Sequence, residues 1–190
     1  MSHEQRGAVP EAASAAAEHM LGDSNASLTL LEYGDYECRA CIQAESLTQH
    51  LVQAFGKRLR FVFRHFPLME VHLQAELAAE AAEAAAAQGR FWAMHHLLFS
   101  QHHRLALPAL TAQAKSIGLD MIRFNAEMAD RIYTQRVQEH RRAGEYSGVR
   151  ATPAFFLNGR AVDVSFGFER LEDAIHVALQ TAPHAAVKQP

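Results

Sequence analysis

Two cysteines stand three positions apart in this sequence, at Cys38 and Cys41, shortly after the apolar run Leu28–Tyr33. They are the only cysteines in 190 residues, so the disulfide framework of a small secreted protein is excluded. Residues three apart on a helix have Cβ atoms about 5–6 Å apart, and a disulfide needs Cβ atoms that face each other closely. The pair therefore favours a strand followed by a helix whose first turn can open and close a disulfide.

The segment around the cysteines has the pattern of a β-α-β unit. The run 28–33 is short, apolar and bounded by turn-forming residues, as expected for a buried strand. Apolar residues at helical spacing predict a helix over 39–55, which places Cys38 at its N-terminus. Residues 59–65 alternate well enough to form a second, half-buried strand.

A long helical stretch follows, at residues 71–147. Within it, Pro108 is expected to open one helix and Gly118 to end it. Asp120 and Asp130 are suitable N-cap residues for two more.

The last part of the chain predicts a hairpin and a final helix. Residues 154–157 are apolar, and the Asn158-Gly159 pair is a strong two-residue hairpin turn before a return strand at 161–164. Leu171 and Ile175 belong to the apolar face of the last helix.

Charge and hydropathy argue against two classes of partner. The formal net charge is −3 and the basic residues are scattered, so nucleic acid is not an expected partner. No run of about 18 apolar residues occurs, so no membrane span is predicted. The first twenty residues show no apolar signal segment, so we expect a cytoplasmic protein, and a periplasmic one only if a signal has been removed.

The sequence resembles the DsbA-like branch of the thioredoxin superfamily over about residues 20–180. Four blocks in the family's order carry the resemblance: residues 31–38 with Cys41, residues 63–68, residues 88–95 and residues 148–159. Arg39-Ala40 stands where members usually have Pro followed by His or Tyr, and Ala151 where many have Gly. The dipeptide tunes thiolate stability in this family, so the direction of disulfide exchange is left open.

The resemblance implies an α/β, thioredoxin-like fold, β-α-β followed by β-β-α, with a helical subdomain inserted between the halves. On this division residues 27–70 and 148–181 form the thioredoxin-like domain and residues 71–147 the insert. Residues 1–26 are expected to be an N-terminal arm and residues 182–190 a C-terminal tail.

We interpret Cys38 as the nucleophile and Cys41 as the resolving thiol of a thiol–disulfide oxidoreductase. A helix N-terminus favours a thiolate at Cys38, and the charge of Arg39 should lower its pKa further. Glu32 interrupts a run of leucines; it is either a buried proton acceptor for Cys41, as the family has at this place, or a strand-end residue turned to solvent.

The resemblance also implies that Pro153 follows a cis peptide bond and packs against the disulfide. The backbone of Ala151 and Thr152 could then pair with an extended substrate segment. Arg39 and Ala40, between the cysteines, complete the candidate substrate-binding residues.

The expected partners are protein disulfides or thiols and a recycling reductant or oxidant, glutathione being one candidate; no cofactor is needed. Three other readings of the two cysteines stay open: a pair of inert buried thiols, a glutathione-dependent isomerase or transferase of related fold, and a metal- or redox-sensing module. Two cysteines supply half of a tetrahedral zinc site and no second ligand motif is evident, so no metal site is predicted. Structural or surface roles are expected for five histidines: His65, His95, His96, His102 and His103.

Overall fold

The computed structural model describes residues 18–181, which form one five-stranded sheet with helices around it. The strands are β1 (His19–Gly22), β2 (Leu28–Gly34), β3 (Leu59–His65), β4 (Ala154–Leu157) and β5 (Arg160–Val162). Their order across the sheet is β1-β3-β2-β4-β5. β2 and β3 run parallel, as a β-α-β unit requires, and every other pairing is antiparallel. The α/β, thioredoxin-like fold with its helical insert is confirmed.

Strand β1 corrects the predicted N-terminal arm. Residues 19–22 lie in the sheet, where His19 pairs with Phe63 and Gly22 with Arg60. The strand is four residues long and its partner lies about forty positions away, so no local hydrophobic periodicity predicts it. The rest of the predicted arm, residues 1–17, and the predicted tail, 182–190, lie outside the described residues.

Seven α-helices occur between residues 18 and 181: α1 (Arg39–Phe55), α2 (Ala75–Ala86), α3 (Phe91–Ser100), α4 (Leu107–Ser116), α5 (Met121–Ala129), α6 (Thr134–Tyr146) and α7 (Glu169–Thr181). Asp120 caps α5 as predicted, because its carboxylate accepts from the backbone N–H groups of residues 122 and 123. Asp130 does not begin a helix; it ends α5, and α6 starts four residues later, after Arg131 has turned the chain at φ 51°.

Glycine allows α6 to lie directly on the sheet. A Cβ at Gly144 would stand 2.6 Å from Phe66 Cδ2 and 3.0 Å from Tyr33 Cδ1. The close approach needs a residue without a side chain, although Gly144 is inside the helix.

The two faces of β2 enter two different apolar clusters. Leu28 and Leu30 belong to the larger cluster, which also includes both cysteines, whereas Leu31 and Tyr33 belong to the smaller one. Because side chains alternate along a strand, Glu32 projects to the face of Leu28 and Leu30. The register of β2 thus directs this carboxyl towards the cysteine side of the sheet.

Candidate functional site

The two cysteines lie at the start of α1, close to the end of β2. Cys38 is the N-cap residue of α1, with φ −72° and ψ 119°, and Cys41 occupies the first turn. Both are free thiols, Cys38 being 8 % exposed and Cys41 fully buried. The predicted position of Cys38 at a helix N-terminus is confirmed, and Cys38 is the thiol that a partner can reach.

Hydrogen bonds stabilise the thiolate form of Cys38. The bond from the Cys41 thiol is the largest cause of a Cys38 pKa lowered to about 5, and burial opposes it. Backbone N–H groups of Ala40 and Cys41 lower this pKa further, because a helix leaves its first N–H groups unpaired. Arg39, whose charge we expected to act here, is exposed, and the main causes are these hydrogen bonds instead.

Cys41 and Glu32 form the buried side of the site. Burial raises the pKa of Cys41, and its hydrogen bond with Cys38 and the charge of Glu32 raise it further. Glu32 is 2 % exposed, so the solvent-facing alternative is wrong. Burial also raises the pKa of Glu32, with smaller contributions from the charges of Glu45 and Cys38. A buried acid whose charge raises the pKa of the resolving thiol therefore lies beneath Cys38.

The segment before β4 closes the site from the other half of the fold. The peptide bond between Thr152 and Pro153 is cis. Cys38 Sγ lies 3.2 Å from the carbonyl oxygen of Thr152, across 114 residues of sequence, and donates a hydrogen bond to it only when the thiol is protonated. Ala151 is exposed beside this contact. A groove of about 880 Å³ borders Pro153 and is lined by the end of α6 and by β4 and β5.

Asp35 organises a loop next to the cysteines, which the sequence did not reveal. One oxygen of its carboxylate accepts from the backbone N–H of Glu37 at 2.8 Å. The other accepts from the backbone N–H of Leu68 at 2.8 Å and lies 2.8 Å from His72 Nδ1. Partial burial opposes a raised pKa at His72, but the hydrogen bond and charge of Asp35 outweigh it, and the charge of Cys38 adds to the rise. The loop also carries two exposed apolar side chains, Val71 and Leu73.

The histidines divide into buried and exposed ones. His65 and His95 are buried, His96 is half-buried, and His102 and His103 are exposed. Among residues 18–181, two sets could offer three metal ligands each: His19, His65 and Glu83, and Glu45, His95 and His96. Sequence spacing did not reveal either set, because the members come from different elements. His95 also contacts the segment that leads to the cysteines, since its Nδ1 is 3.0 Å from the hydroxyl of Tyr36.

Within the described range, none of the helices combines the length and the apolar character needed to cross a membrane.

A family model described as thioredoxin matches residues 14–176 of this chain. The chain is 42 % identical over 158 residues to the Na(+)/H(+) antiporter NhaA 1 of Salinispora arenicola, a match that covers 83 % of this chain. It spans about a quarter of the length of the curated relatives that it matches first.

Solved structures with the same fold are also similar to this one. A thioredoxin-like oxidoreductase from Silicibacter pomeroyi DSS-3 superposes with a TM-score of 0.76 at 27 % identity, covering 87 % of this chain and 94 % of that one. BdbD from Bacillus subtilis, in its oxidised form, gives a TM-score of 0.76 at 20 % identity, covering 86 % and 93 %. The second likeness concerns the fold alone.

Proposed function

The chain belongs to the thioredoxin family, and from this premise we propose that it is a DsbA-like protein that exchanges disulfides with protein substrates through Cys38 and Cys41. The observation that carries the proposal is the asymmetry of the two thiols. The pKa of Cys38 is lowered to about 5, whereas burial raises that of Cys41. One thiol is thus ionised and reachable, and the other is protonated and enclosed.

The reaction follows from this asymmetry. In the reducing direction, the Cys38 thiolate attacks one sulfur of a substrate disulfide, and the other substrate sulfur leaves as a thiolate. Cys41 then loses its proton and attacks Cys38 in the mixed disulfide, which releases the second substrate thiolate. The protein ends with a Cys38–Cys41 disulfide and the substrate has gained two electrons. Reversal of both steps oxidises a substrate dithiol.

Glu32 is proposed to exchange the proton of Cys41. An ordinary glutamate has a pKa about four units below that of a thiol, which makes proton transfer between them unfavourable. Burial raises the pKa of Glu32, which makes this carboxylate a stronger base than an ordinary glutamate, and it raises the pKa of Cys41 as well. The shared desolvated environment supports Glu32 as the acceptor when Cys41 attacks and as the donor in reverse.

The substrate segment is proposed to lie along the backbone of Ala151 and Thr152, beside Pro153. Three observations support this: Ala151 is exposed, the Thr152 carbonyl is 3.2 Å from Cys38 Sγ, and the groove along β4 and β5 starts at Pro153. Arg39, exposed between the cysteines, and Ala40 would contact the substrate on the other side of Cys38.

A low Cys38 pKa favours an oxidising couple, because a stable thiolate stabilises the reduced form. We therefore expect a midpoint above the value of about −270 mV that is typical of thioredoxin. The compartment stays a prediction from the sequence. In a cytoplasm the couple would rest as a dithiol, with glutathione as one candidate recycling partner. Ion transport is not proposed from the name of the antiporters, since the match covers about a quarter of their length.

The test is a titration of the full chain in graded glutathione buffers, with the Cys38–Cys41 disulfide read by alkylation and mass shift. We expect one reversible two-electron transition. The Cys38→Ser variant should have no exchange activity towards a disulfide-bonded protein, and the Cys41→Ser variant should accumulate mixed disulfides. If neither substitution alters exchange, the proposal is wrong. Saturable glutathione binding without any thiol turnover would instead support the glutathione-dependent enzyme.

A further inference from the structure

A second group of polar side chains lies where α1 meets α3, one turn beyond the cysteines. Glu45 Oε2 is 3.1 Å from His95 Nε2, and Glu45 Oε1 is 2.6 Å from His96 Nδ1. The amide nitrogen of Gln49 is 2.6 Å from Glu45 Oε1 and 3.1 Å from His96 Nδ1. The side chain of His96 is 41 % exposed, so this group opens to solvent.

Three donors share the carboxylate of Glu45. His95 Nε2–H donates to Oε2, and His96 Nδ1–H and one Gln49 N–H donate to Oε1. A divalent cation that displaces the two ring protons would meet both nitrogens and the carboxylate already converging on one place.

The donor set suits a borderline transition metal. Two imidazole nitrogens and one carboxylate, all within 4.8 Å of one another, are ligands typical of zinc. His95 faces the Glu45 carboxylate through Nε2, at 3.1 Å, so this ring nitrogen is the one placed to bind a metal beside it. Its other nitrogen faces the hydroxyl of Tyr36 at 3.0 Å, the kind of outer contact that holds a metal-binding histidine in place.

The cluster around Glu83 is less suited to a metal. His19 Nε2 and His65 Nε2 can both donate to Glu83 Oε1, at 2.7 and 3.0 Å, and Arg136 Nε donates to Oε2 at 2.9 Å. His19, His65 and Glu83 are buried, and the Arg136 guanidinium would repel a metal ion. The group around Glu45 opens to solvent at His96 and has no arginine on its carboxylate.

We propose that Glu45, His95 and His96 bind a divalent transition-metal ion of the zinc class, with Gln49 or water completing the coordination. The ion joins α3 of the insert to α1, the helix that begins at Cys38. Metal binding should therefore stabilise the contact between the two parts of the fold. Neither cysteine is a ligand, so the ion takes no direct part in disulfide exchange.

The test uses the full chain with Cys38→Ser and Cys41→Ser, so that thiols cannot bind the metal. Zn²⁺ titration by calorimetry should give one ion per chain, and Co²⁺ should give visible d–d absorption. His96→Gln should weaken Zn²⁺ binding at least about tenfold, and Tyr36→Phe about 10–100-fold. The matched control is His103→Gln, an exposed histidine beyond α3, which should bind Zn²⁺ as the parent does.

The melting temperature should rise with Zn²⁺ in the parent and in His103→Gln, but not in His96→Gln. Absence of stoichiometric Zn²⁺ binding would overturn the proposal, and so would binding that survives His96→Gln. Binding that is lost on Glu83→Gln but kept on His96→Gln would move the metal to the other cluster and also contradict it. None of these results bears on the redox titration, so the two proposals fail separately.

Discussion

The chain gathers titratable side chains in two regions, and they differ in how their charges are balanced. Around Glu83, between β1, β3 and the helices of the insert, the carboxylate accepts from two histidines and one arginine. Around Cys38, at the end of the sheet, a thiolate is stabilised beside a resolving thiol whose pKa is raised. The comparison suggests that polar groups paired with one another maintain the fold, whereas two thiols of unequal pKa suit the proposed exchange.

The largest effect is expected from Glu83→Gln, which tests whether the cluster around Glu83 stabilises the fold. Removing the charge leaves Arg136 without its anionic partner and leaves one oxygen for three donors, and breaking a buried ion pair costs about 3–5 kcal/mol of unfolding free energy. Urea denaturation would measure the loss. The matched control is Glu145→Gln, which breaks the exposed pair with Arg141 and should cost about 0–1 kcal/mol. Equal losses in the two variants would contradict a structural role for the buried cluster.

Glu32→Gln, at the cysteine site, is expected to lower a reaction rate and not the stability of the fold. A proton acceptor contributes about 10²-fold or more to rate, so the attack by Cys41 should slow by about that factor while stability changes little. Reaction of the reduced protein with an aromatic disulfide releases one coloured thiolate when Cys38 attacks and another when Cys41 resolves. The second phase alone should slow. Equal slowing of both phases would remove Glu32 from the resolving step.

A fall in pH should destabilise the fold around His65 and His140 before it protonates the Cys38 thiolate. Burial lowers the pKa of His140 to about 2 and also lowers that of His65. The ring of His140 stays neutral in the folded protein between about pH 6.5 and pH 5, but in the unfolded chain it binds a proton near pH 6.5. Over this range His140 should therefore cost up to about 2 kcal/mol of stability, and His65 acts in the same direction. A plot of unfolding free energy against pH should have a smaller slope over this range for His140→Gln and the parent's slope for His103→Gln. If His140→Gln keeps the parent's slope, another group causes the acid sensitivity.

The smallest expected effect is at His72, in the loop next to the cysteines. Its pKa is raised, so its contribution to stability is complete below about pH 6.5 and is lost as the pH rises through the folded-state value. His72→Gln should cost at most about 1 kcal/mol at pH 6 and nothing at pH 9. Because the positive ring also favours the Cys38 thiolate, alkylation of Cys38 should slow slightly at pH 6 only. A loss that is equal at both pH values would show that charge is not involved.

Local patterns in the sequence were sufficient for one part of the site. The apolar run before the cysteines, the helical spacing after them and the Asn158-Gly159 turn predicted β2, α1 and the β4–β5 hairpin, because those elements depend on neighbouring residues. Cys38 and Cys41 were predicted as site residues from their spacing at the start of α1.

Contacts between distant residues could not be predicted in this way. Asp35 meets His72 across 37 positions, His19 meets Glu83 across 64, and Glu45 meets His95 across 50. Each contact depends on how elements pack and not on a period within one of them. Strand β1 was missed for the same reason, since its only signal is the partner strand.

That short strand also protects the sheet. β3 is rich in phenylalanine, and its outer edge would present unpaired N–H and C=O groups if residues 19–22 were absent. Exposed edges of this kind template pairing between molecules and lead to aggregation. A fragment that starts at Ser27, the beginning of the domain as predicted from the sequence, would leave that edge open, whereas one that keeps residues 18–26 would retain its cover. A shortened version of this protein should therefore begin before β1, several residues before the first strongly apolar run, so that the edge of β3 stays covered.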